Sequence, residues 1–165
     1  MNYVVMMSTN IMAKANRVYK TKVPVTKNQQ VEAEVVDITY QGMGVIKIDN
    51  FPIFVIDAIP GEVVQVGITK VLKSYAFGRV IKRVKASPNR AENVDKVAIT
   101  TGIAPLANLK YEAQLTFKQR QVEQLFKKVN VSVEVNPTIG MTDPTKYRNK
   151  AQVPVQMVNG QLETG

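Results

Sequence analysis

Seven bases and no acid fall between residues 67 and 90: Lys70, Lys73, Arg79, Lys82, Arg83, Lys85 and Arg90. Tyr75 and Phe77 sit among them. Bases neutralise phosphates and release their counterions, while aromatic rings stack on unpaired nucleobases, so the mixture suits single-stranded RNA. On an alternating strand, Arg79, Ile81, Arg83 and Lys85 share one side and Val80, Lys82 and Val84 the other. Sending Val80 and Val84 into a core leaves Arg79, Arg83 and Lys85 as an outward basic row. Lys70 and Lys73 lie near the end of the preceding strand, Tyr75 occupies the turn, and Lys82 belongs to the same group of bases. Blander roles also fit: core packing for Phe77, an ordinary turn for Tyr75, a solvated edge for Arg79 and Arg83.

The residue types that are missing exclude whole chemistries. The 165 residues include no Cys and no His. There is thus no thiol nucleophile, Ser-His-Asp triad, imidazole or thiolate metal site, Cys-ligated iron–sulfur cluster or disulfide. No run approaches the roughly 20 apolar residues of a membrane span. The first 22 residues are basic, acid-free and lack the continuous apolar segment of a secretory signal, so residues 1–25 read as a disordered basic tail in a cytoplasmic protein. Charge is segregated: residues 31–66 carry six acids against Lys47 alone, whereas the whole chain is +9. Length and a 45% hydrophobic content allow one ordinary domain, or a small one plus part of another.

The elements that must position the basic row read as β. VEAEVVDIT alternates Val31, Ala33 and Val35 against Glu32 and Glu34. Gly42 and Gly44 supply a reversal or bulge, VIKID follows, and Asp49-Asn50 turns into FPIFVI. After a Pro60-Gly61 turn, EVVQVGITKVL places Val64, Val66, Ile68 and Leu72 on one face, and AFGRVIKRVK closes the set. Five short strands without an intervening helix need closure to hide their edges, which predicts a small OB-like barrel over 26–88. Ala86 to Arg90 breaks the pattern, and 91–108 reads as irregular. A helix is predicted from about Leu109 to Val129, burying Leu115, Val122, Leu125, Phe126 and Val129 and exposing Lys118, Gln119 and Arg120. VSVEV and VPVQMV are strand-like, and Asn159-Gly160 is a strong hairpin signal. A second strand that stops within a few residues reads as a chain cut inside a domain. The fold class is therefore mainly β with one long helix: a barrel, the helix, then an incomplete β segment across 89–165.

The run from VEAEVVDITYQGMGVIKIDNFPIFVIDAIPGEV to VKASPNR resembles a TRAM domain, in the form found at the N-terminus of bacterial RNA uracil-C5 methyltransferases. LANLKYEAQLTFKQRQVE, PTIGMTDPTKYRNKAQVPV and NGQLETG are similar to the linker and the start of the central domain in the 23S ribosomal RNA (uracil-5-)-methyltransferase group. The resemblance covers roughly residues 25–165. It implies a parent enzyme that uses S-adenosylmethionine, with a Cys attacking uracil C6 from a C-terminal domain. No catalytic residue and no cofactor site of that domain has a counterpart here.

What the resemblance carries over is RNA contact, at Lys70, Lys73, Arg79 and Arg83 and at Tyr147, Arg148, Asn149 and Lys150. For the second group, a core Tyr147 and an ion-paired Arg148 are equally open. Many relatives hold an iron–sulfur cluster through a Cys-Gly-Gly-Cys run. Here that run is Thr101-Gly102-Ile103-Ala104, so the cluster is absent and Ile103, Leu106 and Leu109 are expected to hold the loop. The expected function is the RNA-binding part of such a methyltransferase, inactive alone, with RNA, in the first place rRNA, as partner and no membrane or metal. The alternative is a stand-alone TRAM-type RNA-binding protein.

Overall fold

The computed structural model describes residues 23–92, 94–145, 150 and 152–164. Six strands form one sheet: β1 (Gln30–Glu34), β2 (Asp37–Ile38), β3 (Gly44–Ile48), β4 (Phe51–Ile56), β5 (Val63–Val71) and β6 (Ala76–Lys85). Their order is β1-β5-β6-β4-β3-β2, antiparallel except for the β4–β6 pair. The segment expected as one first strand is divided into β1 and β2, which sit at opposite ends of that order. Val35 N–H donates to Glu62 O on one side, and Val36 N–H donates to Val45 O on the other. One bent segment thus satisfies both sheet edges and closes the barrel, which removes the exposed edges that five or six short strands would otherwise leave.

Alternation places Ile46, Ile53, Val55, Val64, Val66, Ile68 and Ala76 inside, joined by Val25, Val35 and Ala58. Ile46 and Ile53 are fully buried, each contributing about 1.5–3 kcal/mol by leaving water. The Asp49-Asn50 turn has positive φ at both residues, +48° and +63°, the two-residue hairpin geometry its sequence predicts.

Register breaks three times along β5 and β6. Ile68 pairs with Gly78 but Lys70 with Phe77, leaving Thr69 as an extra residue. Beyond it Val71, rather than the expected Leu72, packs on the core. On β6, Ile81 and Val84 are the unpaired residues. A bulge adds a residue to one strand and so resets which side its successors face.

Past the barrel, 91–108 is more ordered than expected. It contains a short helix, α1 (Lys96–Thr100), whose N-cap Asp95 accepts from Val97 N–H at 2.8 Å. The ends of the loop are pinned to one another: Ala91 N–H donates to Asn108 O, and Lys110 N–H to Asn89 O. Leu106 and Leu109 pack in a second cluster with Ile38, Ile59, Ala113 and Phe117, but Ile103 is exposed and holds nothing. Helix α2 (Tyr111–Lys128) forms within the predicted bounds. Its packing differs from expectation, because the barrel takes Ala113 and Phe117 while Val122, Leu125, Phe126 and Val129 stay exposed. Among the described residues 131–135 pairs with no strand, and β7 (Val155–Val158) with β8 (Gln161–Thr164) forms a separate hairpin turned by Asn159-Gly160.

Candidate nucleic-acid interface

The outer face of the barrel follows from the inner one. Ile46, Ile53, Ala76 and Ile68 point in, so their neighbours point out, and register aligns them: Val45 beside Phe54, Phe54 beside Phe77, Phe77 beside Lys70. One row of side chains therefore crosses four strands. Phe54, Phe77 and Tyr75 form a half-buried aromatic trio on this row. Ring centroids are 5.6 Å apart for Phe54–Tyr75, 5.5 Å for Tyr75–Phe77 and 6.0 Å for Phe54–Phe77. The two contacts of Tyr75 are edge-to-face, which fixes the rings against one another without burying them in the core. Phe77 is thus an outer-face residue, and Tyr75 is held by two rings rather than free in its turn.

Bases surround the trio. Lys70 lies directly across from Phe77, and Lys47, two residues along β3 from Val45, is on the same face and exposed. Arg79 follows Phe77 by two residues and is exposed. Lys73 lies at the far end, with Ser74, beside the Asp49-Asn50 turn.

Beyond Arg79 the bulges rearrange the expected row. Lys82 pairs with the outward Gln65, and Lys85 with the outward Val63, whereas Arg83 pairs with the buried Val64. The exposed outer bases of β6 are Arg79, Lys82 and Lys85, spaced by three because one residue bulges in each interval. Val84, expected inside, is half exposed.

Arg83 instead faces the end of the barrel, where a charge cluster has formed. Its Nη2 donates to Asp57 O at 2.8 Å, and its Nε lies 2.9 Å from Glu62 Oε1. That second approach is close enough for the charges but not aligned for a hydrogen bond. Glu62 is fully buried. Burial alone would raise its carboxyl, but the hydrogen bonds from Arg90 and from Ile59 N–H, with the charges of Arg90 and Arg83, outweigh it and hold the group below the usual carboxylate range. Arg90, grouped by sequence with the basic stretch, also donates to Asp57 Oδ1 at 2.9 Å. Two of the seven bases therefore serve the fold.

Of the remaining sequence-predicted residues, Lys150 is exposed, and Tyr147, Arg148 and Asn149 lie outside the described residues. Sequence reasoning missed Phe54 and Lys47. The signal was present, because strict alternation in FPIFVI sends Ile53 and Val55 inward and Phe54 outward. Among the described residues no group of three acidic, His or Cys side chains could hold a metal, and no helix is long and apolar enough to cross a membrane.

Residues 24–81 match the model of the TRAM domain. A protein of Lactiplantibacillus plantarum named "Uncharacterized RNA methyltransferase" is 53% identical over 147 residues, 88% of this chain and 32% of its own length. A similarly named protein of Streptococcus agalactiae is 49% identical over 84% of this chain and 31% of its own, and one of Enterococcus faecalis is 44% identical over 86% and 32%. This chain therefore spans about a third of the length of these curated relatives. A solution structure of a conserved protein from Methanococcus maripaludis is 32% identical and covers 43% of this chain and 100% of its own, with a TM-score of 0.36.

Proposed function

We propose that the barrel, whose residues 24–81 match the TRAM domain model, binds single-stranded RNA across the outer face. The observation that carries this is the trio Phe54, Tyr75 and Phe77 set between Lys47, Lys70 and Arg79. Rings in mutual edge contact present faces and edges to unpaired bases, and the flanking cations reach the phosphates. Lys82 and Lys85 extend the cationic track, and Lys73 closes its other end. Lys150, with the neighbouring Tyr147, Arg148 and Asn149, supplies a further contact by resemblance to the family.

The finer reading is that the RNA is 23S rRNA and that the parent activity is S-adenosylmethionine-dependent methylation of uracil C5 in the cytoplasm. By the same resemblance, no residue of this chain is assigned to hold that cofactor. With no Cys in the chain, the nucleophile that the family uses is also lacking, and the chain alone is expected to transfer no methyl group.

Fluorescence anisotropy with a labelled single-stranded uridine-containing oligonucleotide, against a duplex of the same sequence, tests the proposal. Four or five phosphate contacts give a slope of log K against log salt of about −3 to −4. A salt-independent affinity, or equal affinity for the duplex, refutes it.

A further inference from the structure

Of the six acids between residues 31 and 66, most have a place in the fold. Asp57 and Glu62 hold the charge cluster, Asp37 lies 3.8 Å from Arg120, and Asp49 makes the hairpin turn. Glu32 and Glu34 remain. Both are exposed on β1, where Val31 and Ala33 turn inward onto the core. The ion pairs among the described residues include neither of them.

Register shows what these two carboxylates stand beside. Glu32 pairs with Gln65, which pairs with Lys82, and Glu34 pairs with Val63, which pairs with Lys85. Each acid is thus in line with one of the outer lysines of β6, two strand spacings or about 10 Å away. That separation is too long for an ion pair and is about one Debye length at physiological salt, so the two signs stay distinct to an approaching ligand. The strip between them is uncharged. Gln65 Nε2 donates to Gln30 Oε1 at 3.2 Å, and Ile81 lies over Gly67, its Cδ1 3.2 Å from where a Cβ would stand. Lys70, the single base of β5, lies past Gly67, where the pairing with β1 stops. The outer face therefore carries a basic stripe along β6, a neutral strip along β5 and an acidic stripe along β1.

We propose that Glu32 and Glu34 set the border of the RNA track and select against a second strand, a role that rests on the RNA-binding reading of this face. A single strand lies along β6, from Lys73 past the aromatic trio to Lys85, with its phosphates on the bases and away from β1. The second backbone of a duplex has to extend beyond that stripe. On the β5 side it meets the two carboxylates, and on the β4 side the rings of the trio, which need unpaired bases. Phosphates a few ångströms from a carboxylate are repelled, whereas at 10 Å salt screens most of the effect. Repulsion of the wrong partner thus adds to the stacking that favours the right one.

The test titrates the full 165-residue chain with a labelled single-stranded RNA and with its duplex, at about 0.15 M salt. E32Q combined with E34Q should raise duplex affinity about 10-fold and single-strand affinity about 2-fold, so that the preference for the single strand falls about 5-fold. E112Q combined with E134Q adds the same charge on α2 and the segment after it, and should leave the preference unchanged. All four glutamates are exposed, so circular dichroism should match the wild type for both variants. If the wild type binds the single strand but E32Q with E34Q keeps its preference, or if the α2-side pair lowers it equally, the border is overturned and the RNA-binding reading stands. A wild type that binds no single strand overturns both.

Discussion

Arg90 lays its guanidinium across both oxygens of the Glu62 carboxylate, Nε to Oε1 at 2.6 Å and Nη2 to Oε2 at 2.9 Å. The two residues come from different parts of the chain: Glu62 opens the fifth strand region, and Arg90 begins the linker to α2. Their fork-to-fork contact, shared with Asp57 and Arg83, ties that linker to the end of the barrel. Planar bidentate pairing suits this task better than a lysine would, because both oxygens are satisfied by one rigid group.

Glu62→Gln should therefore destabilise the fold by about 3 kcal/mol at neutral pH, because it leaves two largely buried guanidiniums short of their counter-charge. The sign of the pH effect follows from the depressed carboxyl. The stabilisation is complete above the ordinary value of 4.5 and is lost as pH falls below it towards the folded-state value. Urea unfolding from pH 7 to pH 3 should show wild-type stability dropping in the acid range. The variant should be less stable throughout and show a smaller drop, and parallel curves for the two proteins would contradict the assignment.

Phe54→Ala and Tyr75→Ala should each weaken single-stranded RNA binding by about 1–3 kcal/mol, the worth of one stacked base. Both side chains are half-buried on the outer face and outside the barrel core, so thermal midpoints should move little. Anisotropy titrations on the two variants check this. Unaltered affinity for both would show that the rings are only packing.

The bulges separate Arg83 from the outer bases, and this has a measurable consequence. Lys82→Ala with Lys85→Ala should flatten the salt dependence of RNA binding by about 1.4, at roughly 0.7 per phosphate contact, and leave stability unchanged. Arg83→Ala should lower stability and leave the slope alone. If Arg83→Ala flattens the slope instead, its guanidinium reaches RNA and the charge cluster is secondary.

Gly42 has φ of +77°, and any Cβ there would collide with the Pro105 carbonyl. Gly42→Ala should cost about 1–2 kcal/mol from the left-handed backbone alone. The collision should also lift the 91–108 loop from the turn it rests on. Hydrogen exchange at Ile99, Gly102 and Leu109 reports the lift, and unchanged protection there would mean that the loop is held by its pinned ends alone.

Much of the barrel was legible locally. Alternating valines and isoleucines, the Asp49-Asn50 turn and the Asn159-Gly160 turn each depend on backbone preferences that neighbouring residues set, and each forms where expected. The bounds of α2 were equally readable from its periodicity. Its buried stripe was not, since periodicity shows which residues share a face and says nothing of whether a partner covers it.

The basic character of residues 67–90, the lack of any Cys or His, and the inward and outward alternation before each bulge were determined by the sequence itself. Which bases remain free was decided only by the tertiary structure. Bulges at Ile81 and Val84 arise from pairing with β5, fourteen or more residues away, and no local pattern encodes them. They turn Lys82 outward and bring Arg83 to Glu62, while chain closure brings Arg90 there from 28 residues on. A charge in sequence is only a count; its role depends on the partner that folding places within hydrogen-bond reach.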